Sequence, residues 1–274
     1  MNDVPAGAVT RDYAGGKMLA AKDDGVGLVT FNQPEKRNAM SLEMWTGLGE
    51  ILDEFAEDSS VRVVILTGAG NKAFVSGADI SQFEKNRSNA NAQQEYERLA
   101  GVGRAKYAGF PKPVIARIRG FCLGGGLAIA MQADLRIAAA DSQFGIPAAK
   151  LSIAYAPDSV KRLIDLVGPA HARMILYTAR RIDAAEAERI GLINQMVPDE
   201  ELNDQVLDLA RTIADNAPLS VAASKQTINE MLKDESQRDM AAIKRMSEIC
   251  FNSADYKEGR TAFMEKRAPK WVGR

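Results

Sequence analysis

The sequence predicts an α/β fold, with an alternating strand–helix core followed by a helical C-terminal part. Three observations carry this. Short continuous apolar runs, such as Val61 to Thr67, end in glycine and fit buried parallel strands. Segments of helical spacing separate them and are long enough to act as crossovers. From Ser159 onward helical spacing dominates.

Taken in order, Met1 to Gly16 carries Pro5, Gly7, Gly15 and Gly16 and reads as a loose tail without an apolar signal core. Lys17 to Ala21 and Val26 to Phe31 flank Asp23-Asp24-Gly25, which predicts a hairpin with an Asp-Gly turn. Ser41 suits an N-cap for a helix whose apolar face is Met44, Leu48, Ile51, Leu52 and Phe55. A strand over Val61 to Thr67 comes next, then a loop with Gly70 and Gly77. A polar helix is expected from about Ala92 to Ala108, a strand over Pro113 to Ile118, and a glycine-rich turn from Gly120 to Gly126. Leu127 to Gln132 begins as helix and Leu135 to Ala139 as strand.

Beyond that point helices are expected over Val160 to Val167, Ala170 to Thr178, Ala184 to Ile190, Glu201 to Asp215, Leu219 to Leu232, Arg238 to Phe251 and Ala254 to Lys266. Only Leu192 to Val197 reads as extended. The organisation this implies is a tail over 1–16, a core over 17–200 and a helical region over 201–274.

Composition narrows the function classes. The chain has 274 residues, 46% of them hydrophobic, with 35 basic against 36 acidic residues. That length allows one large core, and the charge balance disfavours broad nucleic-acid or membrane electrostatics. No apolar run is long enough to span a bilayer. Cys122 and Cys250 form no CxxC pair and fit buried thiols in a reducing, cytoplasmic setting. His171 is the single histidine, so histidine-based triads and metal sites are disfavoured, and no metal is expected.

Two loops carry the chemistry. Gly68 to Ile80 (GAGNKAFVSGADI) follows a buried strand, and Gly120 to Ala128 (GFCLGGGLA) follows another and opens a helix. Glycines let backbone approach a ligand, and a helix N-terminus presents unpaired N–H groups to negative charge. Two such loops on neighbouring strands can aim two N–H groups at one oxygen, as an oxyanion hole does. Neither loop matches a dinucleotide or NTP motif.

The ordered set of Phe31 to Ala39 (FNQPEKRNA), Ala73 to Ile80 (AFVSGADI), Lys112 to Ala116 with Gly120 and the Leu-Gly-Gly-Gly turn, Ala133 to Ala138 (ADLRIA) and Phe144-Gly145 resembles the enoyl-CoA hydratase/isomerase (crotonase) family. It continues through Val167 to Arg173, Ala184 to Ile193 and Glu258 to Lys266.

The resemblance implies a crotonase-type ββα spiral core with a C-terminal helical region that trimerises, as a homotrimer or a hexamer of two trimers. It implies an acyl-CoA thioester substrate and no cofactor beyond that CoA moiety. The N–H groups of Ala78 and Gly125 would hold the thioester oxygen. Ala39, Ser76, Ala78, Asp79 and Ile80 would line the CoA site, the last four at the adenine. Lys36 and Arg37 would lie near the phosphates, and Phe263 and Lys266 where a neighbouring subunit completes the site.

One departure bears on the reaction. Hydratases of the family carry two glutamates at positions that here are Ala128 and Ala148. A positioned acid or base contributes about 10²–10⁴-fold, so other groups must supply this chemistry or the chemistry differs. Tyr155 matches a tyrosine that faces the acyl group in some family decarboxylases, or shapes the acyl pocket. Asp158 is either an acid or an N-cap for a helix starting near Ser159. Lys150 reads as surface charge and Asp134 as structural. Three functions follow: a hydratase or isomerase; a decarboxylase or C–C lyase acting on a malonyl- or keto-acyl-CoA; and a non-catalytic CoA- or RNA-binding member.

Overall fold

A computed structural model of the chain describes residues 9–79 and 90–274. The first hairpin joins β2 (Met18–Asp23) to β3 (Val26–Phe31) through Asp24 and Gly25, both at positive φ. That geometry matches the twist of antiparallel strands. Ahead of it, Arg11–Tyr13 forms β1 and pairs antiparallel with β2. The tail expected over 1–16 therefore contributes an edge strand, and residues 1–8 lie outside the described residues.

Helix α1 (Leu42–Glu57) starts where expected. The Ser41 side chain accepts from the Met44 N–H at 3.4 Å, and the helix buries Met44, Leu48, Ile51, Leu52 and Phe55. Then a two-sheet rhythm begins. β4 (Val63–Gly68) runs into short β5 (Ala73–Val75) and then α2 (Ala90–Ala108). β6 (Val114–Ile118) runs into β7 (Phe121–Leu123) and α3 (Gly125–Gln132). β8 (Leu135–Ala139) runs into β9 (Gln143–Gly145) and, after a short turn, α4 (Pro157–Thr178). Each pass places one long strand in the main sheet and one short strand in a second sheet.

β10 (Ile182–Asp183), α5 (Ala184–Arg189) and β11 (Gln195–Val197) close the core. The main sheet has the order β1-β2-β3-β4-β6-β8-β11, and the small sheet β10-β9-β7-β5. From β3 to β11 the main sheet is parallel. Within the small sheet, β5, β7 and β9 are parallel and β10 is antiparallel. This is the ββα spiral that the resemblance implies.

Sequence patterning left the small sheet unread. Its strands are two or three residues long, too short to show a period of two; β5 and β7 lie inside stretches expected to be glycine loops, and β9 and β10 in stretches with no expected element. The two helices expected over 160–178 form one helical segment broken at Gly168, whose φ is 71°. Pro169 enforces the break, because its ring disfavours helical geometry in the residue before it.

Four helices follow: α6 (Leu202–Ala214), α7 (Pro218–Met231), α8 (Met240–Asn252) and α9 (Ala254–Glu265). The first does not stand apart from the core. Leu202, Val206, Ala210 and Ala214 pack with Val26, Val63, Ile65, Ile115 and Ile137 on one face of the main sheet. The other face meets the small sheet, α1 and α3 in the principal core. Among the described residues no helix is long and apolar enough to cross a membrane.

Candidate active site

The turn after β5 is held from behind by the loop over 33–40. Asn38 is fully buried at φ 56°, a left-handed conformation that asparagine tolerates better than most residues. Its Nδ2 donates to the carbonyls of Ala69 at 3.0 Å and Ala73 at 2.8 Å, and its Oδ1 accepts from the Gln33 N–H at 3.0 Å. One side chain thus ties three stretches of backbone together. The sequence reading passed over Asn38; the signal available was an asparagine directly after a charged pair in a loop.

Main-chain bonds then set the direction of the Ala78 amide. The Met40 N–H donates to Gly77 O at 2.8 Å, and the Asp79 N–H donates to Met40 O at 2.9 Å. This is a parallel bridge between Met40 and Ala78. Because amides alternate along extended backbone, the Ala78 N–H points away from residue 40.

The glycine turn lies close to Ala78. Gly125 is the first residue of α3, so its N–H is one of those a helix leaves without an internal acceptor. A methyl built on Gly125 would lie 3.8 Å from the Ala78 nitrogen. The two turns therefore meet, and neither residue is fully buried. Gly126 sets the approach: a methyl there would lie 1.9 Å from Val75 O, so the helix touches β5 backbone to backbone. Two donors near one point, at the positive end of a helix dipole, suit an oxygen that gains negative charge.

Tyr155 belongs to the same spot. Its hydroxyl donates to Gly124 O at 2.9 Å, and its ring packs on the core, as Ala148 also does. Burial pushes its phenol well above the ordinary range. Ala128, on the first turn of α3, and Ala148 are both half-buried and bring no ionisable group.

Asp158 is exposed. It does not cap a helix starting near Ser159: α4 starts two residues earlier, at Pro157, with Ala156 at the N-cap, so Asp158 sits inside the first turn. Proline's fixed φ suits that first position, and the acid there complements the helix dipole.

The expected CoA residues divide between two places. Lys36, Arg37, Ala39, Ser76 and Asp79 adjoin one another around the 33–40 loop. Lys36 pairs with the nearly buried Asp79 carboxylate at 2.8 Å, and that hydrogen bond raises the lysine pKa. The Ser76 N–H donates to Arg37 O at 3.1 Å, and Ala39 is buried. Arg37 turns its guanidinium over the Phe121 ring at 5.3 Å, and Arg181 lies 5.0 Å from the same centroid. Arg37 also lines a cavity of about 330 Å³ with Lys72, Asp141 and Gln143.

Phe263 and Lys266 lie elsewhere. Phe263 is 82% exposed and lines a cavity of about 490 Å³ among the C-terminal helices, with Phe251, Tyr256 and Trp271. Lys266 ends α9 at φ 55°. Ile80 lies outside the described residues.

Cys122 is buried as expected, whereas Cys250 is only half-buried; both are free thiols. Asp134 is structural: its carboxylate accepts from the Val114 N–H at 2.7 Å and pairs with Lys225 at 2.8 Å.

A family model described as enoyl-CoA hydratase/isomerase matches residues 21–274. The chain is similar to a short-chain-enoyl-CoA hydratase of Clostridium acetobutylicum, at 38% identity over 91% of this chain and 95% of that protein. It is 37% identical to a crotonyl-CoA hydratase of Syntrophomonas wolfei over 94% of this chain and 98% of that one. A solved enoyl-CoA hydratase/carnithine racemase from Magnetospirillum magneticum superposes with a TM-score of 0.90 at 33% identity, covering 100% of both chains. With the ββα spiral and the paired glycine turns already in view, the chain belongs to the enoyl-CoA hydratase/isomerase family.

Proposed function

We propose that the protein acts on an acyl-CoA thioester through an enolate, and that hydration or isomerisation of a short enoyl-CoA is its reaction. The supporting observation is the approach of the Gly125 position to the Ala78 nitrogen, 3.8 Å from the site of a methyl. Two preorganised donors stabilise an enolate oxygen as charge develops, and one such donor is worth roughly 2.7–4 kcal/mol. The named activities of the two hydratase relatives support the choice of reaction. Phe251, Phe263 and Met264 leave large apolar surface exposed on the last helices, which supports assembly as a homotrimer or hexamer.

A second reading draws on one specific feature. Alanine at 128 and 148 leaves both family acid positions uncharged. A neutral pocket avoids repelling a substrate carboxylate, which suits decarboxylation or C–C cleavage of a malonyl- or keto-acyl-CoA.

The test is turnover across enoyl-CoAs of increasing chain length, read as loss of the conjugated-thioester ultraviolet absorbance. Malonyl-type and keto-acyl thioesters run in parallel, with products weighed by mass spectrometry. Hydration or double-bond migration of a short enoyl-CoA is the expected result. Cleavage of the second set alone would move the assignment to the second reading, and inert behaviour toward every thioester would remove both.

A further inference from the structure

We propose that Tyr155 is a positioning residue: it fixes, through the Gly124 carbonyl, the peptide unit whose N–H faces the developing oxyanion. The proposal rests on the enolate reading above and deepens it.

Gly124 O and the Gly125 N–H belong to one peptide group. That group is planar, with its carbonyl and N–H pointing in opposite directions. Whatever holds the oxygen therefore aims the hydrogen. Two donors converge on this oxygen: the Ala128 N–H at 3.1 Å and the Tyr155 hydroxyl at 2.9 Å. The first belongs to the opening turn of α3. The second arrives from outside the helix, from a residue 31 positions along the chain.

The peptide needs such a clamp. Gly124 sits at φ 52° and ψ −116°, with glycine on its C-terminal side. No side chain restricts rotation of the plane between these two residues. The Gly124 N–H is anchored to Gly145 O at 2.8 Å, which fixes the preceding plane but not this one. Tyr155 is itself fixed. Its ring packs on the core, and just upstream the Ile153 N–H donates to Ala148 O at 3.1 Å.

The bond also polarises. A donor on a carbonyl oxygen strengthens the N–H of the same amide, because hydrogen-bonded chains reinforce one another. Burial raises the phenol's pKa, which favours the protonated, donating form. With its hydrogen committed to Gly124 O, Tyr155 acts on the substrate through the peptide and not as an acid. This differs from a tyrosine that faces the acyl group.

Tyr155→Phe keeps the ring and removes the donor. The readout is the infrared stretch of butyryl-CoA carrying ¹³C at the thioester carbonyl. On binding to the native protein, the band moves to lower frequency as the oxygen accepts two bonds. In Tyr155→Phe the downshift is smaller, affinity for butyryl-CoA stays within about twofold, and kcat on the short enoyl-CoA falls about tenfold, the scale of one hydrogen bond. An undiminished downshift in Tyr155→Phe overturns the proposal. Absence of any downshift in the native protein removes the enolate reading itself, which separates the two failures. Should Tyr155→Phe not fold, 3-fluorotyrosine at the position supplies a stronger donor of similar size. A larger downshift then supports the proposal and an unchanged one overturns it.

Discussion

At the scale of single residues, the three consecutive glycines of the turn do three different things. Gly124 turns the chain at positive φ. Gly125 opens the helix beside Ala78, and Gly126 lets that helix rest on β5. Alanine substitution separates the last two roles. Gly126→Ala drives a methyl to 1.9 Å from Val75 O, where main chain cannot yield. It should destabilise the protein by about 3 kcal/mol or prevent folding. Gly125→Ala meets its nearest atom at 3.8 Å, ordinary contact, and gains helix propensity. Its methyl lies beside the Ala78 nitrogen, where the proposed oxygen would sit. Thermal melting should show a stable Gly125→Ala protein whose kcat/KM is at least about 100-fold lower, the loss expected when one donor no longer reaches.

At the scale of elements, the long pieces were legible and the short ones were not. Ser41 and the apolar face from Met44 to Phe55 announce α1, because a cap and a 3.6-residue period act over many residues. β5 and β7 read as loop and β9 carries no local signal, because each is defined by its partners across the small sheet and not by its own side chains. The same division runs through the site. The glycine turns could be read from their motifs. The Arg37–Phe121–Arg181 stack and the bond from Tyr155 to Gly124 join residues distant in sequence, and no local pattern encodes them.

The last helix offers an element-scale prediction. Glu258 of α9 accepts from Arg267 and from the Lys270 N–H at 2.7 Å, which ties the final residues back onto the helix. The Arg267 guanidinium, the Lys270 amide and the charges beside them lower the Glu258 pKa to about 2. A depressed carboxylate supports the folded arrangement above its ordinary titration range, and that support fades as pH falls through about 2. Trp271 reports on it, since its indole donates to Asp215 O at 2.8 Å and its ring lies against Gly259. Acidification toward pH 2 should shift Trp271 emission toward the solvent-exposed value. Glu258→Gln should produce part of that shift at neutral pH. Emission that ignores the substitution would show that the tail is held by other contacts.

For the whole molecule, one spiral brings two distant sequence motifs to a common point. The main sheet sets the spacing of successive turns, and the small sheet carries the loops that end at Ala78 and Gly125. The ordered motifs made family and fold readable from sequence, because the spiral needs glycine at fixed contacts such as Gly126 against Val75. The reaction was less readable, because the proposed donors are main-chain groups and the two positions where the resemblance implies an acid carry Ala128 and Ala148. The direct measurement is a crystal structure of the protein with a bound short acyl-CoA. The thioester oxygen should lie within roughly 3.1 Å of both the Ala78 and Gly125 nitrogens, the distance at which such donors stabilise an oxyanion. A thioester oxygen out of reach of either nitrogen, or a CoA seated in the cavity beside Phe263 instead, would contradict the account.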